Sequence, residues 1–94
     1  MTERLSDEEL NETLPNLAGW SRAGDAITKT YLFSDFRAAM WFVNIVAGVA
    51  DAMDHHPEWC NVYNRVTVTL RTHDAGGVTD KDIALAQAMD GAAG

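Results

Sequence analysis

Arg65-Val66-Thr67-Val68-Thr69-Leu70-Arg71-Thr72-His73, residues 65–73, alternates between apolar and polar side chains. Alternation with period two is typical of a strand that lays one face on a hydrophobic core. Its apolar members are Val66, Val68 and Leu70. The segment 59–63 precedes it, and a turn near Asn64 would join the two as an antiparallel hairpin. His73 would then end the second strand on its polar face.

A long apolar segment upstream of this hairpin predicts a helix over 36–54, capped by Ser34 or Asp35. At 100° per residue, its polar side chains fall on one narrow stripe and apolar side chains occupy nearly all the rest. Those polar residues are Arg37, Asn44 and Asp51. One sheet cannot cover so much apolar surface, which predicts a homodimer or homotetramer through helix 36–54 and the sheet edges. The alternative, that the first and last helices cover it, stays open.

Two further helices are indicated by their caps. Ser6 and Glu9 form a capping box at the start of the first helix, which Pro15 would end. Thr79 would cap the last helix, which we expect to run to about Asp90, with Gly91 as its stop signal.

The segment 20–33 predicts another hairpin, hinged at Gly24-Asp25. Lys29 interrupts its apolar alternation, which suggests a position at a sheet edge with the ammonium group reaching solvent. The element order is therefore α-β-β-α-β-β-α over one domain, residues 1–94. Short strand connections favour an α+β fold: a four-stranded antiparallel sheet with helices on one face.

Composition excludes several classes of protein. The chain has 94 residues, seven Lys and Arg, and a net charge of −7, which argues against nucleic acid as a direct ligand. The apolar segment 38–50 is too short for a membrane span, so no membrane association is predicted. The single Cys60 forms no internal disulfide, and Met1-Thr2-Glu3-Arg4 lacks the layout of a signal peptide. We expect a cytoplasmic protein.

The three histidines of the chain lie in two places, His55-His56 and His73. Histidine changes its charge near neutral pH, so the cluster suggests proton transfer. Pro57 disfavours a helical conformation at His56, which makes His55 the last plausible residue of helix 36–54. If the helix reaches His55, Asp51 lies one turn behind it and would favour its imidazolium form.

Three explanations of the histidines compete. A metal site fits poorly, because neighbouring side chains in an extended segment point apart and the spacing matches no closed zinc pattern. A structural role at a helix end is about as plausible, on periodicity alone, as a functional one. Acid–base catalysis without a cofactor gains support from carboxylates that could orient the imidazoles. These are Asp51, Asp54, Glu58, Asp74 and Asp82. Trp59 could be a platform for a flat ring or a core residue.

These residues resemble a known family. The segments 54–59, 61–64, 72–73 and 77–79, followed by Asp82, are similar to the signature of pterin-4a-carbinolamine dehydratases. The likeness extends more loosely upstream through Trp20 and the segments 25–27 and 33–36, and so covers nearly the whole chain. The family fold, a four-stranded antiparallel sheet with three helices on one face, agrees with the element order.

The resemblance implies dehydration of 4a-hydroxytetrahydropterin to quinonoid dihydropterin, in tetrahydropterin recycling, with no metal or cofactor. It implies catalytic roles for His55, His56 and His73. The predicted supporting residues are Asp51, where relatives often carry Glu, and Asp82; the predicted substrate contacts are Asp54, Glu58 and Trp59. Cys60 is often aromatic in relatives. Some relatives also act as dimerisation cofactors of a transcription factor through the central helix, and the apolar helix 36–54 makes that the alternative function.

Overall fold

The computed structural model describes residues 3–94, which form three helices and four strands. Met1 and Thr2, part of the segment considered above for a signal peptide, lie outside the described residues. The elements are α1 (Asp7–Thr13), β1 (Ser21–Ala23), β2 (Ala26–Leu32), α2 (Phe36–Met53), β3 (Glu58–Val62), β4 (Arg65–Leu70) and α3 (Asp80–Ala93). The predicted α-β-β-α-β-β-α order and the α+β class are confirmed.

The four strands form one antiparallel sheet in the order β1-β2-β4-β3. The alternation that predicted β4 is confirmed, because its apolar residues are buried and the others are not. Val68 pairs with Lys29 of β2 and with Trp59 of β3, so these three side chains lie on the same face of the sheet. The opposite face carries exposed or half-buried threonines of β2 and β4.

The hydrophobic core lies between the helices and the sheet face that carries Lys29, Trp59 and Val68. α2 buries Ala39, Phe42, Val46 and Ala50 against it. Leu10 of α1 and Leu85 of α3 join the same core cluster. Within residues 3–94, α2 is the one helix whose length and composition would suffice to cross a membrane, and here it serves as the central helix of the core.

The helix starts agree with their predicted caps. Ser6 and Glu9 make both bonds of the capping box, and the Asp35 carboxylate accepts from the amide of Ala38 at the start of α2. The predicted end of α3 was wrong, because the helix continues through Gly91 to Ala93. Glycine lowers helix stability without ending a helix, and the two alanines that follow it pack against the core.

The predicted edge position of Lys29 was also wrong, because β2 is an inner strand. Its ammonium group instead bonds to the Ala18 carbonyl and the Asp90 carboxylate, both at 2.8 Å. A charged side chain is accommodated on the helix-covered face because α3 supplies its counterion.

The predicted strand over 65–73 ends early, because β4 stops at Leu70. His73 opens a 3-10 turn over His73–Ala75, which Gly76 closes in the left-handed region at φ 72°. A bridge between Thr72 and Gly77 then returns the chain towards α3. His73 therefore lies on a tight turn and not on the strand.

Candidate active site

The end of α2 determines where the first two histidines point. Asp54 adopts the left-handed conformation at φ 50°, one residue after the helix ends at Met53. The amide of His55 donates to the carbonyl of Ala50, and the amide of Asp54 donates to the carbonyl of Asp51. This pair of bonds is a Schellman motif, which ends the helix and reverses the chain. Pro57 follows three residues after the left-handed Asp54, and proline could not have continued the helix.

His55 is directed inwards by this reversal. Its Nε2 lies 2.5 Å from Oδ1 of Asp82, a fully buried carboxylate in the first turn of α3. The same carboxylate accepts from the Thr79 amide at 2.9 Å, as part of the capping box of α3. A carboxylate accepts hydrogen bonds only, so the bond to Asp82 places a proton on Nε2 of His55. Its Nδ1 has no hydrogen-bond partner within residues 3–94 and is the free ring atom.

The predicted pairing of Asp51 with His55 was wrong. Because α2 ends before His55, that residue is no longer one helical turn above Asp51. The Asp51 carboxylate lies instead 2.9 Å from Nε2 of His56, and both side chains are exposed. Asp51 therefore orients the outer histidine and Asp82 the inner one.

His73 approaches the same region from the other histidine segment. Its 3-10 turn is closed on Thr72, whose carbonyl accepts from the amides of Ala75 and Gly76 at 3.1 and 3.0 Å. His73 itself is exposed. The turn therefore presents its imidazole to solvent on a short, hydrogen-bonded segment.

All three histidines line one open cleft of about 320 Å³. Small-molecule sites have volumes from about 300 Å³ upwards, so the cleft suits one small ligand. The lining residues are Asp54, His55, His56, Arg71, Thr72, His73, Asp74 and Lys81. Two of the side chains are cationic and two are carboxylates, so the cleft offers hydrogen-bond partners of both kinds around the imidazoles.

Two predicted substrate contacts are not brought to this cleft. Trp59 lies on β3 opposite Val68 and packs against the hydrophobic core. Glu58 accepts a hydrogen bond at 2.5 Å from Arg71, which does line the cleft. Asp54 is the one predicted substrate contact among the lining residues, and its contact with substrate stays a prediction.

Sequence reasoning did not assign Arg71, Thr72 or Lys81 to the site. Arg71 donates to Asp25 in the β1–β2 turn as well as to Glu58, and the bond to Asp25 raises the pKa of its guanidinium further. In the strand predicted over 65–73, Arg71 has the same polar parity as His73, which was the available signal. Lys81 gave no such signal, since only the packing of α3 brings it to the cleft.

No group of three or more His, Cys, Asp or Glu side chains within residues 3–94 is arranged to hold a metal ion. The bond from His55 to Asp82 and that from His56 to Asp51 direct the two neighbouring imidazoles to different carboxylates. The expectation that the protein needs neither metal nor cofactor stays a prediction.

Comparison with known proteins identifies the family of the chain. The sequence model of the family described as pterin 4 alpha carbinolamine dehydratase matches residues 3–92. The chain belongs to this dehydratase family. A provisionally named pterin-4-alpha-carbinolamine dehydratase of Nitrobacter winogradskyi is 55% identical over 92 residues, 96% of this chain and 91% of that protein. A protein of Sulfurisphaera tokodaii with the same provisional name is 49% identical over 87 residues, 93% of this chain and 94% of that protein.

Solved structures agree with the pterin-4a-carbinolamine dehydratase assignment. The transcriptional coactivator/pterin dehydratase of Brucella melitensis superposes with a TM-score of 0.96 at 47% identity, covering 98% of this chain and all of that one. A pterin dehydratase-like protein described as a RuBisCO assembly factor of the α-carboxysome has a TM-score of 0.66 at 20% identity, which shows the fold alone. The family makes this chain a dehydratase, that is, a hydro-lyase.

Proposed function

We propose that this dehydratase converts 4a-hydroxytetrahydropterin to quinonoid dihydropterin and water by histidine acid–base catalysis, in tetrahydropterin recycling. The observation that carries the proposal is the cleft shared by His55, His56 and His73. Three imidazoles from two chain segments line one small-molecule cleft, and imidazole can act as a general acid or a general base near neutral pH.

The reaction needs two proton transfers. The lone pair of the neighbouring ring nitrogen expels the 4a-hydroxyl group, which leaves as water once its oxygen is protonated. The nitrogen then gives up its own proton to form the neutral quinonoid ring. A well-placed proton transfer contributes about 10²–10⁴-fold. One acid and one base therefore account for the chemistry without a covalent intermediate.

His55 and His73 share the acid and base roles in this proposal. The hydrogen bond from His55 to Asp82 supports its assignment, because it occupies Nε2 and leaves Nδ1 as the ring atom free to exchange a proton with a ligand in the cleft that His55 lines. His73 lines the cleft from a different segment, so a substrate can contact both rings. His56, held by Asp51, would position the pterin by hydrogen bonds.

The test follows quinonoid dihydropterin formation by absorbance with wild-type protein and the His55→Gln and His73→Gln variants. Each substitution should lower kcat by about 10²–10⁴-fold. Gln at position 55 can still donate to Asp82, so thermal unfolding of that variant should stay close to wild type. Wild-type rates in both variants would remove the acid–base assignment.

The exposed apolar face of α2 supports a second role in protein association. Trp41 is 70% exposed and Ile45 is 41% exposed, although both are large apolar residues. We propose that a second copy of this chain covers them, in a homodimer or homotetramer that also uses a sheet edge such as β3. The alternative is a heterologous partner, as the name transcriptional coactivator suggests for the Brucella melitensis protein.

Sedimentation velocity distinguishes these partners. A stable dimer or tetramer that dissociates in a Trp41→Glu variant supports self-association, whereas a monomer at all concentrations would leave the face to a heterologous partner. Gln87→Glu places the same charge on an exposed position of α3 and serves as the control.

The expected cytoplasmic location is tested by fractionating cells that produce the protein.

A further inference from the structure

Thr72 lies at a junction between the two histidine segments. Its hydroxyl is 2.9 Å from Oδ2 of Asp82 and 2.8 Å from the hydroxyl of Thr79. The other carboxylate oxygen of Asp82 is the one that contacts Nε2 of His55. Asp82 and Thr79 are fully buried, so these bonds are shielded from water.

The donor and the acceptor of each of these hydrogen bonds follow from the ionised form of Asp82. An ionised carboxylate only accepts, so Thr72 must donate its single hydroxyl proton to Asp82. The hydroxyl of Thr79 must then donate to Thr72, while it accepts at 3.3 Å from the amide of Lys81. Removing the Thr72 hydroxyl would deprive Asp82 of a donor and the buried Thr79 of an acceptor.

The backbone of Thr72 belongs to the turn that carries His73. Its carbonyl accepts from Ala75 and Gly76, and its amide donates to the carbonyl of Gly77 at 2.8 Å. The side chain of His73 makes no hydrogen bond of its own within residues 3–94. The turn therefore fixes the backbone from which that imidazole projects, and the turn is attached to the buried carboxylate through Thr72.

We propose that the Thr72 hydroxyl is a positioning residue, which ties the turn carrying His73 to the carboxylate that orients His55. The inference rests on the proposed catalytic use of both histidines. Proton transfer between a substrate and two bases demands accurate placement, and a shift of about 1 Å in such a site can cost about 10²-fold in rate. One carboxylate that anchors both segments sets their separation.

The experiment compares four variants. Thr72→Val keeps the side-chain shape and removes the hydroxyl, and Thr72→Ala removes it without placing a methyl group against Asp82. Both should lower kcat by about 10–100-fold, with a much smaller change in KM, because the defect lies in alignment during proton transfer. Thr72→Ser retains the donor and should restore kcat to within a few-fold. Thr30→Val, on the exposed sheet face, is the matched control and should be unchanged.

A spectroscopic readout separates this inference from the proposed function. Nitrogen-15 spectra of the imidazoles should show the Nε2-protonated form of His55 in wild type and in Thr72→Ser. In the Val and Ala variants the ring signals of His55 and His73 should both shift. Unchanged spectra or an unchanged kcat in these two variants would overturn the positioning role, as would a Ser variant as impaired as they are. Absence of turnover in wild type would instead overturn the proposed function, and the spectra alone would then decide the role of Thr72.

Discussion

Replacing Asp90 by Asn tests the polar cluster that joins α3 to β2. The Asp90 carboxylate accepts hydrogen bonds from the Trp20 indole at 3.2 Å, the Lys29 ammonium at 2.8 Å and the Tyr31 hydroxyl at 2.5 Å. Hydrogen bonds to charged groups contribute about 1.5–3 kcal/mol each, and Asn keeps one acceptor oxygen. Since Asp90 is partly exposed, we expect Asp90→Asn to lower the free energy of unfolding by about 2–3 kcal/mol at pH 7.

The loss should depend on pH in a defined direction. Partial burial by itself would raise the pKa of Asp90, but the hydrogen bonds from Lys29, Tyr31 and Trp20 outweigh it and hold the pKa below its usual value. Burial and then Asp90 raise the pKa of Tyr31, which keeps its hydroxyl a donor. A lowered carboxyl pKa stabilises the fold above the unfolded-state value of about 3.9, and that stabilisation disappears as pH falls through the folded-state value. The difference between variant and wild type should therefore shrink in acid.

Urea unfolding followed by circular dichroism measures both quantities, at one protomer concentration so that association does not distort the comparison. Glu12→Gln removes an exposed carboxylate that makes no hydrogen bond or ion pair within residues 3–94, and should change stability by less than about 0.5 kcal/mol. An Asp90→Asn effect as small as this control, or one equal at pH 7 and pH 3, would refute the reasoning.

Three further substitutions test the packing and the turns. Phe42→Ala removes a buried ring whose centroid is 4.7 Å from that of Tyr31, and should cost about 3–5 kcal/mol in urea unfolding; a cost below 1 kcal/mol would contradict its place in the core. Gly76→Ala should cost about 1–2 kcal/mol, because φ is 72° there and an added Cβ would meet no atom within 4 Å. Gly91→Ala is the control, because its added Cβ also meets no atom within 4 Å and its φ is not positive, so it should not destabilise the fold; equal costs would exclude backbone strain as the cause. Asp54→Gly removes the strain of a left-handed backbone at a residue with a side chain, and should increase the free energy of unfolding by up to about 1 kcal/mol and so raise the melting temperature. A lower melting temperature would show that the Asp54 side chain stabilises the turn.

Much of the fold was predictable because its determinants are local. The alternation over 65–70 places apolar side chains on one face whatever the partner strand. The capping boxes at Ser6 and Thr79 each satisfy amides within three residues of the cap. Pro57 likewise predicted that α2 ends near the two histidines.

Partner choice in the site was not predictable. The sequence predicted that Asp51 pairs with His55. The left-handed conformation of Asp54 instead ends the helix, and the Asp51 carboxylate contacts the imidazole of His56, the next residue. Asp82, 27 positions away, replaces it at His55. The misplacement of Lys29 has the same origin, since its carboxylate partner is 61 positions distant.

The amino-acid sequence by itself determined the elements, their order and the presence of three imidazoles near two chain reversals, because periodicity, caps and proline act over a few residues. The packing of α3 against α2 and the sheet determined that Asp82 meets His55 and that Lys81 lines the cleft. Those contacts join residues that are close only after the chain has folded, and no local preference encodes a distance of that kind.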